Sequence, residues 1–146
     1  MKVSEDSFYY LCNTYSGSSQ KPPQYAIWVF LVQTAGSKAG LGSSGSLCQP
    51  GCSLSPIGMG HGDNQLMELW TAHVIAHEVG HNFGMEHDVD VGCGNWPDVG
   101  HMSGNGYGWS SCSKRQVQKI YEKLKPEGGW CLKGKVHVFF CFFCKN

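Results

Sequence analysis

The run from His77 to Asp88, HEVGHNFGMEHD, constrains this chain more than any other feature. Four residues of helix rise about 6 Å and turn slightly more than once, so His77 and His81 project from one face. That separation lets two imidazoles share one tetrahedral zinc ion. Gly84 permits a sharp turn out of the helix, which returns His87 as a third ligand. Three imidazoles leave a fourth position for water, as in a catalytic zinc site.

Glu78 follows the first of these histidines directly, near the open side of the predicted Zn²⁺ site. We expect it to act as a base: it would take a proton from zinc-bound water attacking a carbonyl carbon, then pass that proton to the departing amine. The predicted reaction is peptide-bond hydrolysis with one catalytic zinc ion. An alternative within the zinc peptidases uses Glu122 as the third ligand in place of His87.

The first half of the chain predicts strands. Tyr25–Val32 is a continuous apolar run rich in strand-forming residues, which favours a strand covered on both faces in the middle of a sheet. The glycine- and serine-rich stretch after it leaves room, at residues 40–42 and 47–48, for a short edge strand.

The second half predicts two helices around a loop. The first helix is capped by Asn64 and runs to about Phe83, with apolar residues and histidines recurring at spacings of three and four. Glycine, proline and asparagine make residues 89–111 a long loop. The last helix begins at a capping box, Ser113–Gln116, carries an apolar stripe and stops at Pro126.

Composition excludes two classes of function and indicates a compartment. Eleven Lys and Arg residues balance eleven Asp and Glu residues, so no basic surplus favours nucleic acid. Tyr25–Val32, the longest apolar run, is far shorter than the roughly 20 residues needed to span a bilayer, which excludes membrane insertion. Eight cysteines favour disulfides in an oxidising compartment over free thiols in a cytosolic protein, although Met1–Asp6 does not resemble a signal peptide. The oligomeric state stays open.

The motif from His77 to Asp88 resembles the zinc-binding sequence of metzincin metalloproteinases, and its trailing aspartate is typical of their adamalysin or reprolysin branch. That branch includes the ADAM enzymes and their thrombospondin-motif (ADAMTS) relatives. Gly40–Gly42 resembles the family's edge strand beside the substrate cleft, and Met102 falls at its Met-turn, an apolar floor beneath the histidines. The resemblance implies an α/β metzincin (zincin-like) fold, with an incomplete mixed sheet packed on an active-site helix and a C-terminal helix.

The same resemblance implies three disulfides, Cys12–Cys52, Cys48–Cys131 and Cys93–Cys112, and a secreted or extracellular protein that acts on protein or peptide substrates. Residues 1–134 would form the C-terminal part of a catalytic domain whose opening strands are missing. Residues 135–146, which include Cys141 and Cys144, match nothing in the family and are expected to form a disordered apolar tail. Because an expected calcium-binding carboxylate is also missing, Ca²⁺ is not predicted.

Several residues outside the motif have more than one interpretation. His73 lies eight residues before His81, too far to share its metal, and is interpreted as a packed histidine. His61 and His101 are interpreted as loop residues near the cleft, with substrate contact as the alternative. An incomplete cleft also leaves a second function open, in which the chain is a catalytically inactive binding module.

Overall fold

The computed structural model describes Tyr10, Cys12, Leu132 and residues 27–32, 40–48, 52–56, 64–104 and 106–125. Its strands are β1 (Trp28–Val32), β2 (Leu41–Gly42) and β3 (Cys52–Pro56). Its helices are α1 (Asn64–Asn82) and α2 (Ser111–Leu124), and short 3-10 helices lie between them at Asp88–Val91 and His101–Ser103. The calls on Cys131, His61 and the tail 135–146 fall outside the described residues.

The described strands form a mixed sheet in the order β1-β3-β2. Strand β1 runs parallel to β3, with Trp28 opposite Cys52, while β2 runs antiparallel to β3, with Leu41 opposite Leu54. The short strand predicted around residues 40–42 is therefore present, at one edge of the described sheet. The prediction that the 25–32 run lies in the middle was wrong for the described strands: β3, which the sequence analysis did not identify, is central.

Two apolar clusters hold these elements together. The Cys12–Cys52 disulfide joins the segment at residue 12 to β3, with Cα atoms 5.5 Å apart, and side chains from β1 and β2 cover it. The second cluster surrounds buried Leu47 and Cys48, against which Phe83, Ile120 and Leu124 pack. The loop after β2 thus fills the space between the end of α1 and one face of α2.

Helix α1 ends as the glycine signal predicted. Gly84 has a φ of 73°, the left-handed conformation that favours glycine, and its N–H donates to the carbonyl of His81 at 2.8 Å. The loop after β2 supplies further donors to the helix end, from the N–H of Gly45 to His81 at 2.8 Å and from that of Leu47 to Asn82 at 2.9 Å. The C-terminal end of α1, which carries His77 and His81, is therefore fixed to the β2–β3 loop.

Helix α2 begins earlier than predicted. Its N-cap is Ser110, whose hydroxyl accepts from the N–H of Ser113 at 3.0 Å, so the capping box predicted at Ser113–Gln116 is wrong. Ser113 lies buried inside the helix, and the Gln116 side chain instead accepts from the N–H of Glu86 at 3.1 Å. Within the predicted apolar stripe Tyr121 is 53% exposed, because only the side of the helix toward Leu47 is covered.

The second disulfide ties the long loop to α2. Cys93 and Cys112 are bonded across a Cα separation of 6.1 Å, as the resemblance implied. Cys48 is also disulfide-bonded. Within the described part of the chain, no helix combines the length and apolar character needed to cross a bilayer.

Candidate metal centre and active site

Helix α1 and the turn that follows it bring three imidazoles together. His77 and His81 lie one helical turn apart, with ring centres separated by 4.9 Å. After the turn at Gly84, His87 returns to lie 5.1 Å from the ring of His77 and 4.9 Å from that of His81. One nitrogen from each ring lies within 4.8 Å of the other two. The three residues singled out by their spacing therefore converge.

Backbone carbonyls orient two of the rings. Nδ1 of His77 donates to the carbonyl of His101 at 2.7 Å, and Nδ1 of His81 donates to the carbonyl of Met85 at 2.8 Å. Because a carbonyl can only accept, each Nδ1 carries the proton and each Nε2 keeps its lone pair in the neutral ring. Nδ1 of His87 lies 3.4 Å from a carboxylate oxygen of Asp90. Such partners fix the tautomer and direction of metal-binding histidines.

The donor set fits a tetrahedral metal ion. Nε2 of His77, which keeps its lone pair because Nδ1 of that ring donates to a carbonyl, lies 3.2 Å from Nε2 of His87. Nitrogen ligands on a tetrahedral zinc with bonds of about 2.0–2.1 Å are roughly 3.3 Å apart. Burial also lowers the pKa of His77 and of His81, which favours the neutral form that binds metal.

The side chain of Glu78 projects from α1 and lies against the edge strand β2. Its side chain is 5% exposed, and desolvation by burial raises its pKa to about 7. A Cβ at Gly40 would clash with Oε1 of Glu78, and one at Gly42 would lie 3.1 Å from Oε2. These two glycines therefore let β2 pass directly over the carboxylate. The edge strand was predicted from the sequence, but the contact of its glycines with Glu78 was not.

A cleft of about 420 Å³ opens beside the histidines and the glutamate. It runs between β2 and the exposed side of α1. Its lining residues are Gly40, Leu41, Gly42, Trp70, His73, Val74, His77, Glu78, His81, His87 and Gly104. The predicted ligands and the predicted base thus share one concave surface with the edge strand.

Met102 lies beneath the histidine-bearing helix. It is fully buried, and a Cβ at Gly80 would come within 2.5 Å of its Sδ. Gly80 directly precedes His81 in the helix, and because it has no side chain the thioether can pack against the helix at this point. The structure thus places Met102 against the helix that carries His77 and His81.

Asp88, the last residue of the histidine motif, has a buried carboxylate that hydrogen-bonds with several loop and helix residues. Its carboxylate is fully buried and accepts from the N–H of Gly100 at 3.1 Å and from the hydroxyl of Ser103 at 2.7 Å. The hydroxyls of Ser110 and Ser113 donate to its other oxygen, at 2.5 and 3.2 Å. One carboxylate therefore joins the residue after His87 to the Met102 turn and to the start of α2.

The other residues considered in the sequence, His73, His101 and Glu122, do not belong to the histidine cluster. His73 is 7% exposed and stacks on Trp70 with ring centres 5.7 Å apart, which confirms that it is packed, although it also lines the cleft. His101 lies beside His73 rather than free in a loop. Glu122 is exposed, accepts from Gln118 at 2.6 Å and is not part of the histidine cluster.

Comparison with known proteins agrees with this geometry. The sequence profile of metallo-peptidase family M12, in its reprolysin form, matches residues 5–131. The chain is 35% identical over 123 residues to mouse "A disintegrin and metalloproteinase with thrombospondin motifs 10", a match covering 77% of the chain and 10% of the relative. The chain is 32% identical over 107 residues to human "A disintegrin and metalloproteinase with thrombospondin motifs 6", a match covering 64% of the chain and 8% of the relative. It is 46% identical over 63 residues to human "A disintegrin and metalloproteinase with thrombospondin motifs 13", a match covering 38% of the chain and 4% of the relative.

The chain thus spans about a tenth or less of the length of these relatives. The profile, in contrast, covers most of the chain, including all three histidines, Glu78 and Met102. The chain belongs to metallo-peptidase family M12.

Proposed function

We propose that this protein is a zinc-dependent endopeptidase that hydrolyses peptide bonds of extracellular proteins. The observation that carries the proposal is the convergence of three imidazole nitrogens next to a buried glutamate in one cleft. Membership of family M12 supports the same reaction class. His77, His81 and His87 would hold the ion through their Nε2 atoms, since Nδ1 of the first two is committed to a backbone carbonyl.

A zinc ion bound there would supply Lewis acidity, which lowers the pKa of a water molecule and polarises the scissile carbonyl. The chain's own contribution is the placement of Glu78. Its carboxylate lines the cleft without belonging to the histidine cluster, so it is free to accept the proton of the attacking water. Having little exposure to solvent, it holds that proton until the departing amine takes it.

The edge strand offers a means of holding the substrate. Among the described strands, β2 pairs with β3 on one side only. Its other edge therefore has backbone N–H and C=O groups with which an extended peptide can pair, as in strand addition. Leu41 and the two flanking glycines line the cleft, so a peptide bound along β2 would pass close to Glu78. This arrangement favours peptide substrates over small ester or amide substrates.

The disulfides support the extracellular part of the proposal. The Cys12–Cys52 disulfide lies against the sheet, and the Cys93–Cys112 disulfide lies at the start of α2. Bonds of this kind persist in oxidising compartments and are rare in the cytosol.

The Glu78→Gln substitution tests the mechanism. Glutamine keeps the shape of the side chain but cannot take a proton, so zinc content should stay near one ion per chain while peptide hydrolysis falls by about 10²–10⁴-fold. Elemental analysis measures the zinc, and cleavage of a quenched fluorogenic peptide library measures the rate. His87→Ala serves as the complementary variant and should lose both.

Three results would contradict the proposal. They are a wild-type chain that takes up no zinc, a zinc-loaded chain that cleaves nothing, and a Glu78→Gln variant that cleaves as fast as the wild type. The second result would favour an inactive binding module, in which the same residues support a surface rather than a reaction.

A further inference from the structure

Two histidines outside the predicted ligand set contact each other beside the metal centre. Nδ1 of His73 lies 3.0 Å from Nδ1 of His101, which is hydrogen-bonding distance for one protonated and one unprotonated nitrogen. His73 belongs to α1, one helical turn before the first ligand, and His101 begins the short 3-10 helix that contains Met102. The pair therefore joins two elements that both touch the metal centre.

His101 passes this contact on to a ligand through its backbone. Its carbonyl accepts from Nδ1 of His77 at 2.7 Å and also from the N–H of Gly104 at 3.1 Å. The direction of that carbonyl sets the direction of the His77 ring and therefore of its Nε2. A continuous path runs from the His73 side chain, through His101, to His77.

Only one of the two ring nitrogens of His73 has a hydrogen-bond partner among the described residues. Its Nε2 is buried without one, which carries a cost for a polar atom. An apolar aromatic residue stacked on Trp70 would fill the same space without that cost. The Nδ1 contact with His101 is the interaction that an apolar residue could not make.

We propose that His73 is a positioning residue, which holds His101 so that its carbonyl fixes the tautomer and orientation of His77 for metal binding. This inference rests on the proposed function, because it requires that His77 binds zinc. His73 itself does not bind the ion, and its effect reaches the ion only through the turn at His101.

The test compares three replacements of His73 in the full chain. Asparagine places an amide atom two bonds from Cβ, where Nδ1 of histidine lies, so His73→Asn can keep the contact with His101. Glutamine places its amide one bond further, toward the position of Nε2, and phenylalanine keeps only the ring. We expect His73→Phe and His73→Gln to weaken zinc binding by about 10–100-fold, and His73→Asn to stay within about threefold of the wild type.

The readout is the zinc dissociation constant, from competition with a chromophoric chelator, for variants whose circular dichroism matches the wild type. Ile75→Ala is the matched control, since Ile75 lies two residues along the same helix, is half-buried and does not line the cleft. It should lower the melting temperature but leave the zinc constant within about threefold. Nitrogen-15 NMR of labelled histidine in the metal-free chain gives an independent reading, in which His73→Gln should lose the single Nδ1-protonated tautomer of His77.

Equal zinc affinity in the asparagine and glutamine variants would overturn the inference, whether both are strong or both are weak. That comparison holds even if the phenylalanine variant does not fold. A wild-type chain without zinc affinity would instead refute the proposed function, so the two failures are distinguishable.

Discussion

Replacement of Asp88 should destabilise this protein more than any change on its surface. The carboxylate is fully buried and accepts four hydrogen bonds, from one backbone N–H and three serine hydroxyls. In Asp88→Ala all four donors lose their acceptor. The hydroxyls of Ser110 and Ser113, 3.2 Å apart, can still pair with each other, but the N–H of Gly100 retains only the longer contact to Ser103 at 3.3 Å.

The magnitude follows from this partial compensation. A buried polar group left without a partner costs about 1–3 kcal/mol, so two such groups give a loss of about 2–6 kcal/mol for Asp88→Ala. Asp88→Asn should lose less, about 1–2 kcal/mol, because one amide oxygen still accepts from Gly100 and the serine hydroxyls can turn to accept from the amide nitrogen. The order of the two variants tests the reasoning as strongly as their size.

Urea denaturation of the metal-free chain measures both effects without interference from zinc. Asp90→Ala is the control, since Asp90 lies two residues away with 63% of its side chain exposed and should change the free energy of unfolding by at most about 0.5 kcal/mol. An Asp88→Ala variant that unfolds within about 0.5 kcal/mol of the wild type would refute the idea that this carboxylate holds the turns together. So would an asparagine variant that is less stable than the alanine one.

Two further substitutions test other buried contacts. Asn82 is fully buried, and its amide nitrogen donates to the carbonyls of Ser43 at 3.0 Å and Cys52 at 3.3 Å. Asn82→Asp should place a carboxylate oxygen, which cannot donate, against these two carbonyl oxygens, and should therefore cost more in urea denaturation than Asn82→Ala, at about 3 kcal/mol against about 2. The reverse order would count against this account. Gly80→Ala should lower unfolding free energy by about 1–3 kcal/mol, because the new Cβ meets the Sδ of buried Met102, and the loss should shrink in the double variant with Met102→Ala if that contact is its cause.

The sequence predicted what depends on local spacing. Helix α1 spans Asn64–Asn82, close to the predicted bounds, and its end follows from the left-handed conformation of Gly84. The three candidate ligands follow from a helical turn and one tight return. Strand β3 could not be predicted in the same way. Its buried residues include Ser53, which hydropathy places on the surface. The Ser53 hydroxyl hydrogen-bonds with groups far along the chain, the carbonyl of Glu78 at 3.0 Å and the side chain of Asn82.

The orientation of the candidate ligands could not be predicted from the sequence, for a related reason. The acceptors that fix His77 and His81 are main-chain carbonyls of His101 and Met85. Every residue has a carbonyl, so no residue type marks the ones that act here. The start of α2 was misplaced because Ser110 and Ser113 are both serines, and residue type alone does not show that the hydroxyl of Ser110 is the one that accepts from a helix N–H.

The proposed metal site and the proposed peptide-binding strand depend on different parts of this fold. The three histidines and the groups that orient them all lie between residues 77 and 101, in a region held by Asp88 and by the Cys93–Cys112 disulfide. The cleft wall over Glu78 comes instead from β2, whose position depends on β3 and on the Cys12–Cys52 disulfide. Loss of the sheet contacts should therefore impair peptide hydrolysis while zinc stays bound, whereas loss of the Asp88 contacts should remove both. On this account the proposed metal centre can persist when β2 is displaced, and the proposed peptidase activity depends on how firmly β2 is held.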